Sequence, residues 1–225
     1  MKITPRFIEV LKNYSIINPS ILFMPGGEVS TISPLKNILS IATIDETIPQ
    51  KFSIYDLNEF IGIVSIMDDP QAEFTQNQII LKSGRKSVKY TMGSPDTFEC
   101  SPYENIDVDE DDIIAKFNLN YSDFSNIIKA CSILKNKHLT IEGNEGQLEI
   151  KSIDNKNKTS STYAINLNDK AIKLSSESFR RMFDIDNFKI MNRDYVVSIH
   201  KDYLIEFRSD DDSIVYWIAP STETK

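Results

Sequence analysis

The sequence has few of the residues on which secreted proteins and many enzymes depend. Its 225 residues contain two cysteines, two histidines, seven glycines and one tryptophan. Cys100 and Cys131 are too few for a disulfide framework, and no apolar run approaches the roughly 18 residues of a membrane-spanning helix. The first residues also lack the apolar segment of a secretory signal. These absences exclude a disulfide-rich secreted domain and an integral membrane protein, and they predict a cytoplasmic protein.

Catalytic and cofactor-binding motifs are also absent. His138 and His200 are the only histidines, and neither accompanies an obvious serine or cysteine nucleophile. No P-loop or dinucleotide-binding glycine pattern occurs. The run Asp107–Asp112 has the spacing that opens a calcium loop but lacks its glycine and final glutamate, and Asp210–Asp212 is typical of a solvated turn. We predict a non-enzymatic protein without a cofactor or a metal.

Acidic residues dominate the first half of the chain. The formal net charge is −8, and residues 1–112 carry 9 basic against 17 acidic side chains, whereas residues 113–225 carry 16 of each. An acidic protein repels nucleic-acid phosphates, so this excess argues against DNA binding over the whole surface. Five of the acidic residues lie between positions 107 and 112, a run that we interpret as an exposed connector between two domains.

An amphipathic helix near the start of the chain is repeated about 120 residues later. In both segments the apolar residues have the spacing of a helix that buries one face. The first set is Phe7, Ile8, Leu11 and Tyr14, and the second set is Ile127, Ile128, Cys131 and Leu134. Thr4 and Pro5 predict the start of the first helix, and the later helix is predicted to begin near Ser122.

A second pair of helical patterns has nearly the same separation. Leu57, Phe60 and Ile61 are followed 122 residues later by Phe179, Met182 and Phe183. Strand-like runs and turns lie between the members of each pair, and three strand patterns end the chain, at 195–200, 203–208 and 214–218. The sequence therefore predicts an α+β fold with two similar domains, 1–108 and 109–225. Each domain is predicted to pack two helices on an antiparallel sheet.

One segment resembles a known family. The run from Phe52 to Ser65, FSIYDLNEFIGIVS, closely resembles a helix of the sliding clamps of T-even-type bacteriophages, which are DNA polymerase processivity factors. Val10–Asn13, followed by Ile17 and Asn18, is similar to the same family. The resemblance is specific over roughly residues 1–67 and rests on element order and length beyond them. Because this family is built from two copies of one domain, the resemblance agrees with the repeat.

The resemblance implies a head-to-tail homotrimer whose six domains close into a ring around duplex DNA. It also implies that the ring tethers the replicative DNA polymerase, is loaded by an ATP-driven clamp loader and activates late transcription in the cytoplasm of an infected host cell. A ring that slides needs weak, diffuse attraction to phosphates and no readout of the bases. The expected binding is therefore independent of DNA sequence.

Basic side chains opposite the apolar helix stripes are the candidate DNA-facing residues. They are Arg6 and Lys12 on the first helix, Lys129, Lys135 and Lys137 on and beyond the third, and Arg180 and Arg181 on the fourth. Each of them could equally belong to an ordinary solvated helix face. The second helix departs from the pattern, because it carries Asp56 and Glu59 and no basic residue.

The candidate pocket for partner peptides combines apolar residues of the connector and of the last strand. The ending from Tyr216 to Pro220, YWIAP, is similar to the tails of sliding clamps, in which an Ala-Pro pair borders such a pocket. Ile106 and Val108 are apolar residues beside and within the acidic run, where a solvated linker has no need of them. The predicted pocket residues are Ile106, Val108, Trp217, Ala219 and Pro220. A tryptophan on a last strand is, however, more often part of the core.

Two other functions stay open at this point. A protein-interaction adaptor could use the same two-domain fold without closing into a ring. A metal-dependent nuclease could use the carboxylates at 107–112 or 210–212. The mass in solution separates the ring from the adaptor, and DNA cleavage that depends on a divalent ion identifies the nuclease.

Overall fold

The structure, a computed structural model of the chain, describes residues 1–95, 109–157, 159–201 and 204–221. The chain divides into two compact units, Met1–Asn105 and Ile106–Lys225. The described residues contain three α-helices, and none of these is long and apolar enough to span a membrane. Ile106 and Val108 lie outside the described residues. The domain boundary at 108/109 stays a prediction.

The first unit contains two helices and seven strands in its described residues. The helices are α1 (Pro5–Ile17) and α2 (Leu57–Ser65). The strands are β1 (Ile21–Phe23), β2 (Gly26–Ile32), β3 (Ile38–Ile48), β4 (Phe52–Ile54), β5 (Gln71–Phe74), β6 (Gln78–Ser83) and β7 (Lys86–Thr91). Within this unit β1 pairs with β4, β2 pairs with β3, and β6 lies between β5 and β7, all antiparallel.

Helix α1 begins where the sequence predicts it. Thr4 is the N-cap, and its hydroxyl accepts a hydrogen bond from the Phe7 N–H at 3.2 Å, which satisfies a donor left open at the helix start. Leu11 and Tyr14 are fully buried where α1 packs on β2 and β3. The Tyr14 hydroxyl lies 3.0 Å from the Ser40 hydroxyl, so its polar end stays hydrogen-bonded in the core.

Helix α2 confirms the helix predicted in the run 52–65. Asp56 is its N-cap and accepts a hydrogen bond from the Glu59 N–H at 2.9 Å. Leu57 and Phe60 are buried, and the Phe60 ring meets Tyr90 edge-on at 5.2 Å between centroids. Because α2 packs against α1, the first unit presents a pair of adjacent helices.

The second unit contains one helix and nine strands in its described residues. The helix is α3 (Tyr121–Leu134). The strands are β8 (Ile113–Leu119), β9 (His138–Asn144), β10 (Gln147–Ile153), β11 (Tyr163–Asn166), β12 (Ala171–Leu174), β13 (Phe179–Asp184), β14 (Tyr195–His200), β15 (Ile205–Ser209) and β16 (Ile214–Ile218). They form two antiparallel arrangements, in the orders β11-β10-β9-β13 and β12-β8-β14-β15-β16.

Helix α3 has a capping residue at each end. Asn120 is the N-cap and accepts a hydrogen bond from the Asp123 N–H at 2.8 Å, so the helix begins one residue before the predicted start. It ends at Leu134, and its C-cap Lys135 has left-handed backbone geometry with a φ of 58°. The Asn136 N–H then donates to the Cys131 carbonyl at 2.9 Å and closes the last turn.

The predicted fourth helix is wrong. Phe179–Asp184 is strand β13, which pairs antiparallel with β9. The counterpart of α2 comes after this strand, because Tyr55–Phe60 (YDLNEF) resembles Phe183–Phe188 (FDIDNF). There only a single 3₁₀ turn forms, Ile185–Asn187. The ten residues between β13 and β14, against sixteen between β4 and β5, leave no room for a nine-residue helix with its connections.

The shortened segment keeps its place in the core through one aromatic ring. Phe188 meets Phe124, Phe183 and Phe207 at centroid distances of 6.0, 5.8 and 5.7 Å. The two units are therefore similar domains, as the repeat predicts, but the second retains only one turn of its second helix.

Candidate nucleic-acid interface

The helix surface of the first unit carries more negative than positive charge. Lys12 is exposed on α1, whereas Arg6 is half-buried and its enclosed Nε has no hydrogen-bond partner among the residues that the structure describes. Glu9 lies three positions from both of them, within one helical turn. Asp56 and Glu59 add two exposed carboxylates beside or on α2, which carries no basic residue. This surface therefore offers little net attraction to phosphates.

The surface of α3 and of the segment that follows it is basic. Lys129, Lys135 and Lys137 are all exposed. The helix carries one acidic residue, the half-buried Asp123 in its first turn. Asp123 lies more than a turn from Lys129, so no carboxylate on α3 neutralises Lys129. Lys137 accepts a hydrogen bond at its carbonyl from the Ile185 N–H at 3.0 Å, which brings the exposed Asp184 and Asp186 close to Lys137.

Arg180 lies on the opposite face of its sheet from α3. It is in register with Glu142 on β9, and residues in register project to the same face. Its Nε donates to Glu142 Oε1 at 2.9 Å, and Lys151 Nζ lies 2.9 Å from Glu142 Oε2. Ser152 follows Lys151 and points to the other face, where it accepts a hydrogen bond from Asn136 at the end of α3. The register thus separates Arg180 from the α3 lysines.

The ion pairs on the sheet face that points away from α3, which we call the outer face, lower the pKa of Glu142. Burial disfavours the carboxylate, but the hydrogen bond and charge of Lys151 and the charge of Arg180 outweigh burial and hold the pKa of Glu142 below its ordinary value. Lys151 also pairs with Glu149 at 2.9 Å, and hydrogen bonds to Glu149 and Glu142 raise the pKa of Lys151. The cations of this face are therefore balanced by neighbouring carboxylates.

Arg181 projects to the same face as Ile141 and is half-buried. Its Nη1 donates to the carbonyl of Arg180 at 3.2 Å and its Nη2 to the carbonyl of Lys201 at 3.4 Å. The prediction that Arg180 and Arg181 lie on a helix is wrong, because both belong to β13. Their contact with DNA stays a prediction.

Trp217 of the candidate peptide pocket lies on β16 and is 2% exposed. Its indole N–H donates to Glu206 Oε2 at 3.1 Å, and Arg208 Nε lies 3.0 Å from the other oxygen of that carboxylate. Ala219 and Pro220 follow the strand and are half-buried. The ring is thus enclosed in this chain, whereas the Ala-Pro pair remains partly accessible.

The described part of the acidic run is held by lysines that sequence reasoning missed. Lys116 Nζ lies 3.1 Å from Glu110 Oε1, and Lys173 Nζ donates to the Glu110 carbonyl at 2.9 Å. Lys201 Nζ lies 3.2 Å from Asp112 Oδ1. Lys173 and Lys201 are 63 and 89 positions from these partners, so no local pattern could reveal the contacts. Residues 109–112 are therefore held within the second unit and do not form a free linker.

The carboxylates at 210–212 belong to a hydrogen-bonded turn. Asp211 accepts hydrogen bonds from the hydroxyls of Ser209 and Ser213, and Arg193 Nη1 lies 2.8 Å from its Oδ2. Burial works against ionisation, but these contacts outweigh it and hold the pKa of Asp211 well below its usual range. Within the described ranges, no group of three or more potential metal-ligating side chains occurs.

Comparison with known proteins gives one consistent result. Residues 4–97 match the family model described as DNA polymerase processivity factor. The sliding clamp of Vibrio phage KVP40 is 26% identical over 223 residues, which cover 97% of this chain and 98% of the relative. The sliding clamp of Enterobacteria phage T4 is 30% identical over 100 residues, or 43% of each chain. These matches confirm the resemblance carried by residues 52–65.

The fold is similar to that of solved sliding clamps. The structure of A. fulgidus PCNA with the C-terminal region of FEN-1 bound has a TM-score of 0.69 at 15% identity, and the superposition covers 97% of this chain and 96% of that one. This likeness includes both units, and it confirms the predicted α+β fold of two similar domains.

Proposed function

We propose that this chain, a sliding clamp of the DNA polymerase processivity factor type, closes with two further copies into a ring around duplex DNA. The observation that carries the proposal is the clamp fold, which extends over both units. A closed ring holds DNA by topology, so it needs no catalytic group and only weak attraction to phosphates. The net charge of −8 supports binding by encirclement, because negative charge disfavours tight binding to DNA from outside the ring.

The ring would tether the replicative DNA polymerase, and this is its proposed role in replication. A clamp loader that opens the ring and the factors of late transcription are proposed as further partners, within the cytoplasm of an infected host cell. The solved A. fulgidus relative carries a C-terminal region of its partner. By analogy, partners of this chain would insert short peptides beside the half-buried Ala219 and Pro220.

Two measurements together test the ring. Sedimentation at micromolar concentration is expected to give a mass of about three times 25.7 kDa. Protein loaded on a nicked circular duplex is expected to stay bound at high salt and to be released when the circle is cut, since only a topological link depends on closure of the DNA.

Other outcomes identify the alternatives. A monomer that binds polymerase but shows no difference between circular and cut DNA would indicate the non-encircling adaptor. Cleavage of the circle in the presence of a divalent ion and not in its absence would indicate the nuclease. Either result contradicts the proposed function.

A further inference from the structure

The acidic segment 109–112 and the segment 219–221, which follows β16, leave one sheet of the second unit at the same edge. The first residue of β8 is in register with the last residue of β14, and the first residue of β15 is in register with the last residue of β16. Because β14 and β15 are also antiparallel neighbours, these four strand ends lie in one row. Three strand spacings of about 4.8 Å separate β8 from β16, so the two segments start about 14 Å apart.

A lysine at this sheet edge holds the acidic segment through its backbone and its side chain. The Lys201 N–H donates to the Asp112 carbonyl at 2.9 Å, and Lys201 Nζ donates to the Asp111 carbonyl at 3.1 Å. The same Nζ lies 3.2 Å from Asp112 Oδ1. A cation beside the last carbonyls of a helical turn satisfies acceptors that the turn itself leaves open. Lys201 therefore fixes the end of the 3₁₀ turn formed by residues 110–112.

Strand β13 connects Lys201 to the segment 219–221. Arg181 on β13 donates from Nη2 to the Lys201 carbonyl at 3.4 Å and from Nη1 to the Arg180 carbonyl at 3.2 Å. The next residue of the strand, Met182, is buried, and its carbonyl accepts a hydrogen bond from the Ser221 N–H at 2.8 Å. A set of hydrogen bonds thus leads from the acidic segment through Lys201 and β13 to the segment 219–221.

We propose that Arg181 and Lys201 are positioning residues for partner peptides, because they fix the acidic segment and the segment 219–221 at a set separation. This inference rests on the proposed function, in which peptides bind beside Ala219 and Pro220. A peptide that binds against two segments that are already ordered loses less conformational entropy. This role differs from the DNA contact predicted for Arg181, since two nitrogens of its guanidinium donate to carbonyls of the protein.

Five variants separate this role from a general loss of positive charge. Arg181→Gln and Lys201→Gln each remove one cation with its contacts, and the double variant measures their coupling. Lys201→Arg keeps the charge and several N–H donors, so it serves as the rescue. The matched control is Arg193→Gln, which removes one cation and its 2.8 Å ion pair with Asp211 near the opposite end of β14. Thermal unfolding and sedimentation verify that each variant keeps its fold and its assembly state.

Amide hydrogen exchange is the first measurement, because it reports directly on how firmly the two segments are held. It is followed in proteolytic fragments that contain residues 109–113 or 219–221. Arg181→Gln and Lys201→Gln are each expected to speed exchange in both fragments. Arg193→Gln is expected to leave exchange in both fragments unchanged.

The second measurement is the affinity of the assembled protein for the replicative DNA polymerase in the absence of DNA. Each glutamine variant at 181 or 201 is expected to weaken binding about tenfold, the size of one lost hydrogen bond to a charged group. The double variant is expected to be about as weak as either single variant, because both residues act in one set of contacts. Lys201→Arg and Arg193→Gln are expected to keep the wild-type affinity.

Four outcomes would overturn the assignment of Arg181 and Lys201. They are wild-type affinity in both single glutamine variants, an equal loss of affinity in Arg193→Gln, losses that simply add in the double variant, and faster exchange confined to one of the two segments. Wild-type protein that binds no polymerase would instead contradict the proposed function, while the exchange comparison would still test the link between the two segments.

Discussion

Replacing Trp217 by alanine tests whether its ring is core or the wall of a peptide groove. The ring is 2% exposed on β16, and its N–H donates to Glu206 at 3.1 Å. Truncation of a buried tryptophan typically costs about 3–5 kcal/mol of unfolding free energy. The Glu206 carboxylate keeps its contact with Arg208, so removal of the indole hydrogen bond adds little to that cost.

The second unit spans about 120 residues, for which each kcal/mol corresponds to a melting shift of about 4 °C. Trp217→Ala is therefore expected to lower the melting temperature of this unit by about 12–20 °C. Trp217→Phe keeps most of the apolar area, and the Glu206 carboxylate keeps its contact with Arg208, so a smaller decrease of about 1 kcal/mol is expected, mainly from the lost ring volume. Far-UV circular dichroism measures both shifts, because it does not depend on the replaced fluorophore.

A small change in stability would refute this reasoning. If Trp217→Ala lowers the unfolding free energy by less than about 1 kcal/mol while polymerase affinity falls roughly thirtyfold, the ring is a binding anchor. Ile106→Ser with Val108→Ser provides the companion test of the connector. Unchanged polymerase affinity in that double variant would contradict the pocket assignment without affecting the proposed ring.

Three further predictions concern stability. Burial, with the charges of Glu59 and Asp56, raises the pKa of Tyr90 to about 12; the unfolded chain loses this proton first, so stability should fall between about pH 10 and 12. Tyr90→Phe should make that slope in urea-unfolding midpoints less steep and leave the part due to Tyr195, whose pKa is also raised by burial. A methyl group at Gly143 would overlap the Phe179 ring, so Gly143→Ala should lower the unfolding free energy by about 1–3 kcal/mol, with partial recovery on adding Phe179→Leu. Lys135→Gly should raise it by up to about 1 kcal/mol in the same assay, because glycine adopts a positive φ without strain, whereas Lys135→Ala should give no gain.

Local chemistry explains what could be predicted from the sequence. Thr4 and Asp56 mark helix starts because their side chains accept hydrogen bonds from nearby backbone N–H groups. The strands 195–200 and 214–218 follow from runs of β-branched and aromatic residues between turns. The two-domain repeat and the excess of acid in the first half are likewise properties of the chain itself. No contact between distant residues is needed for any of these predictions.

The segment 179–184 shows where such reasoning fails. Its pattern, FRRMFD, suits one turn of an amphipathic helix as well as a short strand. The segment forms a strand because it pairs with the edge of β9. The register of this pairing then places Arg180 on the outer face beside Glu142.

The same limit applies to burial and charge pairing. Trp217 is enclosed, and Lys173 and Lys201 hold the acidic segment 109–112, only because strands far apart in the chain meet in one sheet. Sequence alone predicted the resemblance to the sliding clamps and the two similar domains. Tertiary structure decided which basic side chains share a surface, because strand pairing and register, which depend on residues distant in the chain, set the face to which each side chain points.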